Sequence, residues 1–278
     1  MINLILAIVS SMLVSVTMRA SERRAKNNIS MLAMNYLMCT LLSAAFAGTA
    51  EIFPAQEGLG AALLLGVVSG AMYLGSFLLL QWNICVNGVV LPATFMKLGV
   101  LVPTLLSVVL FGETPTAAQV TGFALAVAAI ILIRMERGQG RARHAAGLVV
   151  LLLGGGLTDS LSKVYEVFGA PALEDHYLLY TFAVACLLCA GLALLRRQGM
   201  TLWDALCGML IGVPNYFSAR FLLLSLSQVP AVVAYPTYSV ATIVLITVVG
   251  MLAFGERLTR RQKLAMGVIL VALVLLNL

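Results

Sequence analysis

Charge is scarce in this chain. Only 10% of its 278 residues are Asp, Glu, Lys or Arg, and 62% are apolar. A soluble domain carries about 25% charged residues, and it needs them, because a single domain leaves much of its surface in water. A soluble enzyme and a disordered chain are therefore excluded, and lipid must be the main solvent. Histidine is nearly missing too: His144 and His176 are the two present, and both are read as loop residues at the edges of apolar runs. No His, Cys and carboxylate cluster has metal-ligand spacing, and no nucleophile stands beside a base. The reading is a non-enzyme without metal or cofactor.

Three further patterns lack the context that would give them chemistry. The five cysteines, Cys39, Cys85, Cys186, Cys189 and Cys207, all sit in apolar runs, where a free thiol packs as a small hydrophobe. Cys186-Leu187-Leu188-Cys189 has no βαβ surroundings to make it a redox motif. Gly154-Gly155-Gly156 lies inside an apolar run rather than in a strand-to-helix phosphate loop. The start, Met1 to Met18, is apolar with no basic residue ahead of it and no small-residue cleavage site, so it reads as a first spanning helix that stays.

What the chain does have is apolar length. A spanning helix with its connection takes roughly 25–30 residues. Polar punctuation cuts the sequence into ten apolar segments, near 2–18, 29–47, 59–82, 88–111, 115–133, 146–168, 176–195, 204–227, 230–254 and 259–278. The expectation is an all-α membrane protein of ten transmembrane helices with no aqueous domain. Turn residues mark several breaks. Gly58 and Gly60 precede the third segment, Asn87-Gly88 opens the fourth and Pro230 the ninth. Pro115 sits just inside the start of the fifth, where its missing N–H is not needed.

The halves match each other. Val89-Val90, Thr94, Phe111-Gly112-Glu113, Thr116 and Gln119 recur as Val232-Val233, Thr237, Phe254-Gly255-Glu256, Thr259 and Gln262, at a constant offset of 143. Gly66-x-x-x-Gly70 and Gly208-x-x-x-Gly212 lie near the same register. Apolar runs resemble one another by chance, but Phe-Gly-Glu-x-x-Thr-x-x-Gln contains polar positions at fixed spacing. The domains are read as two five-helix repeats, 1–140 and 141–278. Five is odd, so the second repeat enters the membrane from the opposite side: an inverted repeat, an architecture of secondary transporters. Glu113 and Glu256 are expected at opposite faces, each fixing its turn by accepting hydrogen bonds from the start of the next helix.

Basic residues segregate. The loops after segments 1, 5, 7 and 9 hold Arg19, Arg23, Arg24, Lys26, Arg134, Arg137, Arg141, Arg143, Arg196, Arg197, Arg257, Arg260, Arg261 and Lys263, 14 of the 17 basic residues. The opposite side holds none, and carries Glu51, Glu57, Glu113, Glu166, Glu174 and Asp175. The positive-inside rule makes the basic side cytoplasmic, so the chain is a multi-pass protein of the cell membrane with both termini outside. The net charge of +6 is a topology signal and not a sign of nucleic acid.

With two inverted five-helix repeats, each carrying Phe-Gly-Glu-x-x-Thr-x-x-Gln between its fourth and fifth helices, the chain resembles the EamA family of the drug/metabolite transporter superfamily. The resemblance covers essentially the whole length. It implies transport of small molecules; members carry amino acids, metabolites, nucleotide sugars and drugs. Many relatives keep their termini in the cytoplasm, with basic residues after helix 2, whereas here the basic cluster follows helix 1. Small multidrug-resistance relatives use a membrane glutamate in the first helix to exchange protons for cations. The first helix here has no acid, which argues against that chemistry.

Ionisable residues within a span face a cavity or a partner. Four stand out: Lys97, Asp159, Lys163 and Arg220. Asp159 and Lys163, four apart, can pair along one helix face, and Arg220 can snorkel along its stem. Lys97 has no acid within a turn; it meets either a carboxylate or phosphate on the substrate, or Asp159. Polar residues surround these positions: Thr94, Asn215 and Tyr216 after Pro214, and Tyr235, Thr237 and Tyr238. Gly-rich or Pro-broken stretches free backbone groups that must line protein or a wet cavity. A substrate path along helices 3, 4, 6, 8 and 9 follows. Three cations and one anion make it formally +2, which favours an anionic or zwitterionic substrate.

The function expected is a secondary-active carrier of small metabolites working by alternating access. It acts as a monomer in the bilayer, with a proton or a counter-substrate as the coupled species. The alternative is an exporter of lipophilic or cationic compounds; a membrane enzyme or scaffold ranks lower.

Overall fold

A computed structural model describes every residue except 22–26, 49–51, 88–91, 93, 94, 97, 135–144, 198 and 255–259. It contains ten α-helices among the described residues. They are α1 (Ile2–Ser21), α2 (Asn28–Ala47), α3 (Leu59–Asn87), α4 (Leu101–Phe111), α5 (Ala117–Arg134), α6 (Ala145–Phe168), α7 (Glu174–Leu195), α8 (Leu202–Leu226), α9 (Ala231–Phe254) and α10 (Arg260–Leu276). A 3₁₀ turn, Pro171–Leu173, leads into α7. Seven helices, α1 to α3 and α6 to α9, are long and apolar enough to cross a membrane, and α4, α5 and α10 contribute shorter apolar stretches. The protein is an all-helical membrane protein.

One segment differs from its sequence reading. The apolar run 88–111 is not one helix: α4 starts at Leu101, after a turn at Gly99 and Val100. Pro103 lies in the first turn of α4 and has no N–H to give to the Gly99 carbonyl. Val102 N–H takes that carbonyl instead, at 2.9 Å, in a tighter turn. Gly99 also lies against the backbone of α6. A Cβ there would stand 3.2 Å from Gly156 N and 3.3 Å from Leu152 O.

The chain folds as two compact units, each drawing on both halves of the sequence: Met1–Leu74 with Val164–Ser225, and Gly75–Lys163 with Leu226–Leu278. In the first unit α2 packs along α7. Small residues allow close approach of backbones in lipid, and two glycine pairs show where that happens. A Cβ on Gly66 of α3 would meet Tyr180 Cβ of α7 at 2.6 Å, and one on Gly70 would meet Val184 Cβ of α7 at 2.8 Å. A Cβ on Gly212 of α8 would meet Asn35 O and Met38 Cβ of α2, both at 2.6 Å, and Gly208 presses on Met34 in the same way. The third helix of one half thus leans on the second helix of the other, and the reciprocal contact is also made. The core of this unit is aromatic. Tyr165 stacks on Tyr177 at 4.1 Å, and Tyr36, Tyr73, Phe182 and Tyr216 pack edge and face around one another.

In the second unit the pairs are α5 with α10 and α4 with α9. Their core is aliphatic and small: Ala126 and Ala129 of α5 meet Ile269 and Ala272 of α10, with Val240 and Ile243 of α9. The later part of α3 is tied to α6 by polar contacts. Ser76 and Thr158 share a hydrogen bond at 2.9 Å, and Asn83 Nδ2 donates to Gly147 O at 3.1 Å.

Candidate functional site

The repeated Phe-Gly-Glu-x-x-Thr-x-x-Gln motif resolves into separate devices in its first copy. Gly112, at φ 67°, ends α4 in the left-handed conformation that glycine adopts without strain. Thr116 and Gln119 open α5 as a capping box: Gln119 N–H donates to Thr116 Oγ1 at 3.2 Å, and Thr116 N–H to Gln119 Oε1 at 3.1 Å. That leaves Glu113 with a different task from the one its sequence suggests. It does not cap the next helix. Its two carboxylate oxygens accept from Ala231 N–H at 2.9 Å and Val232 N–H at 2.8 Å, the first two amides of α9. Pro230, which precedes α9, has no side-chain acceptor to offer them, so the cap comes from 118 residues away. Glu256, in the second copy, lies outside the described residues.

Lys163 completes this cluster. Its Nζ stands 3.2 Å from Glu113 Oε1, with 9% of the lysine side chain and 14% of the glutamate side chain exposed. The same ammonium lies 5.9 Å from the centre of the Phe111 ring. Burial pushes the Glu113 carboxyl upward, but the two N–H donors and Lys163 more than offset it and hold it below the ordinary carboxylate range. Lys163 is five residues from the end of α6, and its acid is on the α4–α5 connection.

Asp159 lies one turn deeper on α6, with an exposed side chain. Its backbone carbonyl accepts from Tyr235 Oη of α9 at 2.8 Å, and Tyr235 is 2% exposed. Thr237 is also buried, with Asn277 Nδ2 at 3.5 Å from its Oγ1. Tyr238, half-buried, follows on α9. Glu113, Asp159, Lys163, Tyr235, Thr237 and Tyr238 all belong to the second unit. Lys97 and Thr94 lie outside the described residues.

The remaining sequence candidates fall in the first unit. Asn215 Nδ2 donates to Asn35 Oδ1 at 3.3 Å, joining α8 to α2 beside the Gly212 contact. Tyr216 is fully buried against Phe46, Phe182 and Phe217, and its hydroxyl has no hydrogen-bond partner among the described residues. Arg220 forms a two-pronged pair with Asp175, Nε to Oδ1 at 2.8 Å and Nη2 to Oδ2 at 3.0 Å, and its guanidinium covers the Phe46 ring at 4.6 Å. It does not simply snorkel.

Sequence reasoning thus missed two acids, Glu113 and Asp175, as partners of embedded cations. Both were counted as loop charges. The available signal was the number of cations: a buried cation demands a counter-charge, and acids at helix ends were the candidates left. Lys163 and Arg220 each face one of these acids, Glu113 and Asp175 respectively. Among the described residues, no three His, Cys, Asp or Glu side chains gather as a metal site would require.

Comparison with known proteins agrees with this architecture. Residues 175–271, about a third of the chain, match the model of the Small Multidrug Resistance protein family. An uncharacterized protein of Haemophilus influenzae is 26% identical over 272 residues, covering 93% of this chain and 91% of that protein. A crystal structure aligns with 99% of this chain and 98% of its own, at a TM-score of 0.77 and 14% identity, a likeness of fold.

Proposed function

We propose that this chain is a secondary-active carrier of the EamA type, moving a small zwitterionic metabolite by alternating access. The four ionisable residues inside apolar segments, Lys97, Asp159, Lys163 and Arg220, carry the reading. Both signs occur among them, which suits a substrate bearing a carboxylate and an ammonium. Lys97 is assigned to the carboxylate and Asp159 to the ammonium. Tyr235, which holds the Asp159 backbone, positions the acid. Support for the inverted repeat comes from the reciprocal glycine contacts, α3 on α7 and α8 on α2, and from the recurrence of the motif at one offset. The termini are assigned to the outside on the segregation of basic residues.

The match of residues 175–271 to the Small Multidrug Resistance protein family favours the second reading, export of lipophilic or cationic compounds, with Asp159 as the acid that meets a cationic one. A thermal-shift screen of the purified protein, followed by uptake into proteoliposomes, separates the two, because a bound ligand stabilises the native state. Zwitterionic compounds should stabilise the wild type, and neither Lys97→Met nor Asp159→Asn should respond to them. Stabilisation by lipophilic cations that survives Lys97→Met and disappears with Asp159→Asn would replace the first reading with the second.

A further inference from the structure

We infer that Glu113 is a proton-operated latch, which holds α4 to the start of α9 while ionised and releases it on taking a proton. Three observations meet at this residue. First, α4 is a short helix, preceded by a turn at Gly99 and Val100 and ended by Gly112 at φ 67°. The ends of elements are where a hinge absorbs backbone change. Second, just past the end of α4, Glu113 accepts from the first two amides of α9, for which the preceding Pro230 has no side-chain acceptor. Third, the fastening depends on charge. A carboxylate accepts two N–H groups and faces an ammonium; a carboxylic acid keeps one weaker acceptor oxygen and turns its other oxygen into a donor, aimed at groups that are themselves donors.

The proton balance is simple. The carboxylate takes one proton from water, no other bond forms or breaks, and Lys163 keeps its charge. Among the described residues, the charged group shown facing Glu113 is Lys163 of α6; α9 presents the Ala231 and Val232 amides and the positive end of its dipole. All of these favour the ionised form. Burial opposes it. When the donors leave, burial acts unopposed and the carboxyl's affinity for a proton rises. Protonation and release therefore drive each other, and acid favours release. The latch extends the transport reading by naming the coupled ion. Its test needs no substrate, so failure of the latch and failure of the carrier assignment are separately visible.

The test is amide hydrogen exchange on the full-length protein in lipid nanodiscs, followed in peptides spanning residues 229–234 and corrected for the intrinsic rate at each pH. In the wild type, protection of this stretch should fall about tenfold per pH unit through the transition, as a one-proton opening requires. Glu113→Gln should exchange fast at every pH, with no transition. Lys163→Met removes one of the groups favouring the charged form, and should move the transition upward by about one pH unit. If Glu113→Gln does not fold, the wild-type and Lys163→Met curves carry the test between them. Wild-type protection that does not change with pH, or a transition that persists in Glu113→Gln or does not move in Lys163→Met, overturns the latch.

Discussion

Arg220 reaches from α8 to the start of α7 and engages both oxygens of Asp175, with its guanidinium over the Phe46 ring of α2. The pair is about a quarter exposed on each side, so water screens it and its contribution is modest, about 1 kcal/mol. Lysine cannot reproduce the fork or the stacking. Arg220→Lys should therefore lower the midpoint of thermal unfolding nearly as much as Arg220→Met. Arg220→Met with Asp175→Leu should cost less than the two single changes added together. Additivity would show that the pair contributes nothing beyond its separate side chains.

The Glu113–Lys163 pair is more deeply buried, and removing one member strands the other. Lys163→Met is expected to cost about 3 kcal/mol near neutral pH. Glu113 has a depressed folded-state pKa, so its contribution is complete above the unfolded value and is lost as pH falls below about 4.3 through the folded value. Chemical denaturation in detergent at pH 7 and pH 4 should show a larger loss for the wild type than for Glu113→Gln. Equal losses would mean that the carboxylate has no net effect on stability.

Glycine contacts predict opposite signs at two positions. A methyl group on Gly212 would collide with Asn35 O and Met38 Cβ at 2.6 Å, whereas one on Gly191 of α7 would meet nothing within 4 Å. Gly212→Ala should destabilise by about 1–3 kcal/mol, the usual cost of overpacking. Gly191→Ala should be neutral or stabilising by up to about 1 kcal/mol, because alanine is the better helix former. Thermal unfolding of the two variants in the same detergent reads the difference directly.

Tyr235→Phe removes the hydroxyl that donates to Asp159 O and leaves the ring in place. The loss in stability should be about 1 kcal/mol. If Asp159 meets substrate, ligand-induced stabilisation should weaken while the fold persists. An unaltered ligand response would detach Tyr235 from the site.

Orientation has its own test. Single cysteines placed at Gln56 and Glu174 should react with a membrane-impermeant reagent on intact cells, and one placed at Gln139 should not. The reverse pattern would invert the assignment, and reaction at all three sites would upset the number of crossings.

The helices were legible because lipid imposes a simple rule: apolar length ends where polar or turn residues begin. The start of α5 at Thr116-x-x-Gln119 and the end of α4 at Gly112 could be read from local chemistry, since capping and left-handed turns involve residues within one turn of each other. The break at Gly99 could not, because hydropathy does not register a tightened turn inside an apolar run. The site was less legible for the same reason of distance. Lys163 was read against Asp159, its neighbour four residues away, and Glu113 against the helix that follows it. Glu113 instead spends its acceptors on Lys163, 50 positions on, and on amides 118 positions on. Arg220 and Asp175 are separated by 45. Such pairings are set by which helices pack, and no spacing rule reveals them.

The reciprocal glycine faces of α3 on α7 and α8 on α2 also bear on how the chain is made. Ribosomes deliver α2 and α3 to the membrane well before α7 and α8 exist; more than a hundred residues separate the end of α2 from the start of α7. At about 5–20 residues per second the gap is on the order of ten seconds. During that time the Asn35 face of α2 and the Gly66/Gly70 face of α3 must be sheltered by lipid, by the insertion machinery or by each other. Completion of the nascent protein is therefore a late, interlocking event. The two halves, synthesised from separate messages in one cell, should find each other and assemble, while either half alone should be cleared by membrane proteases.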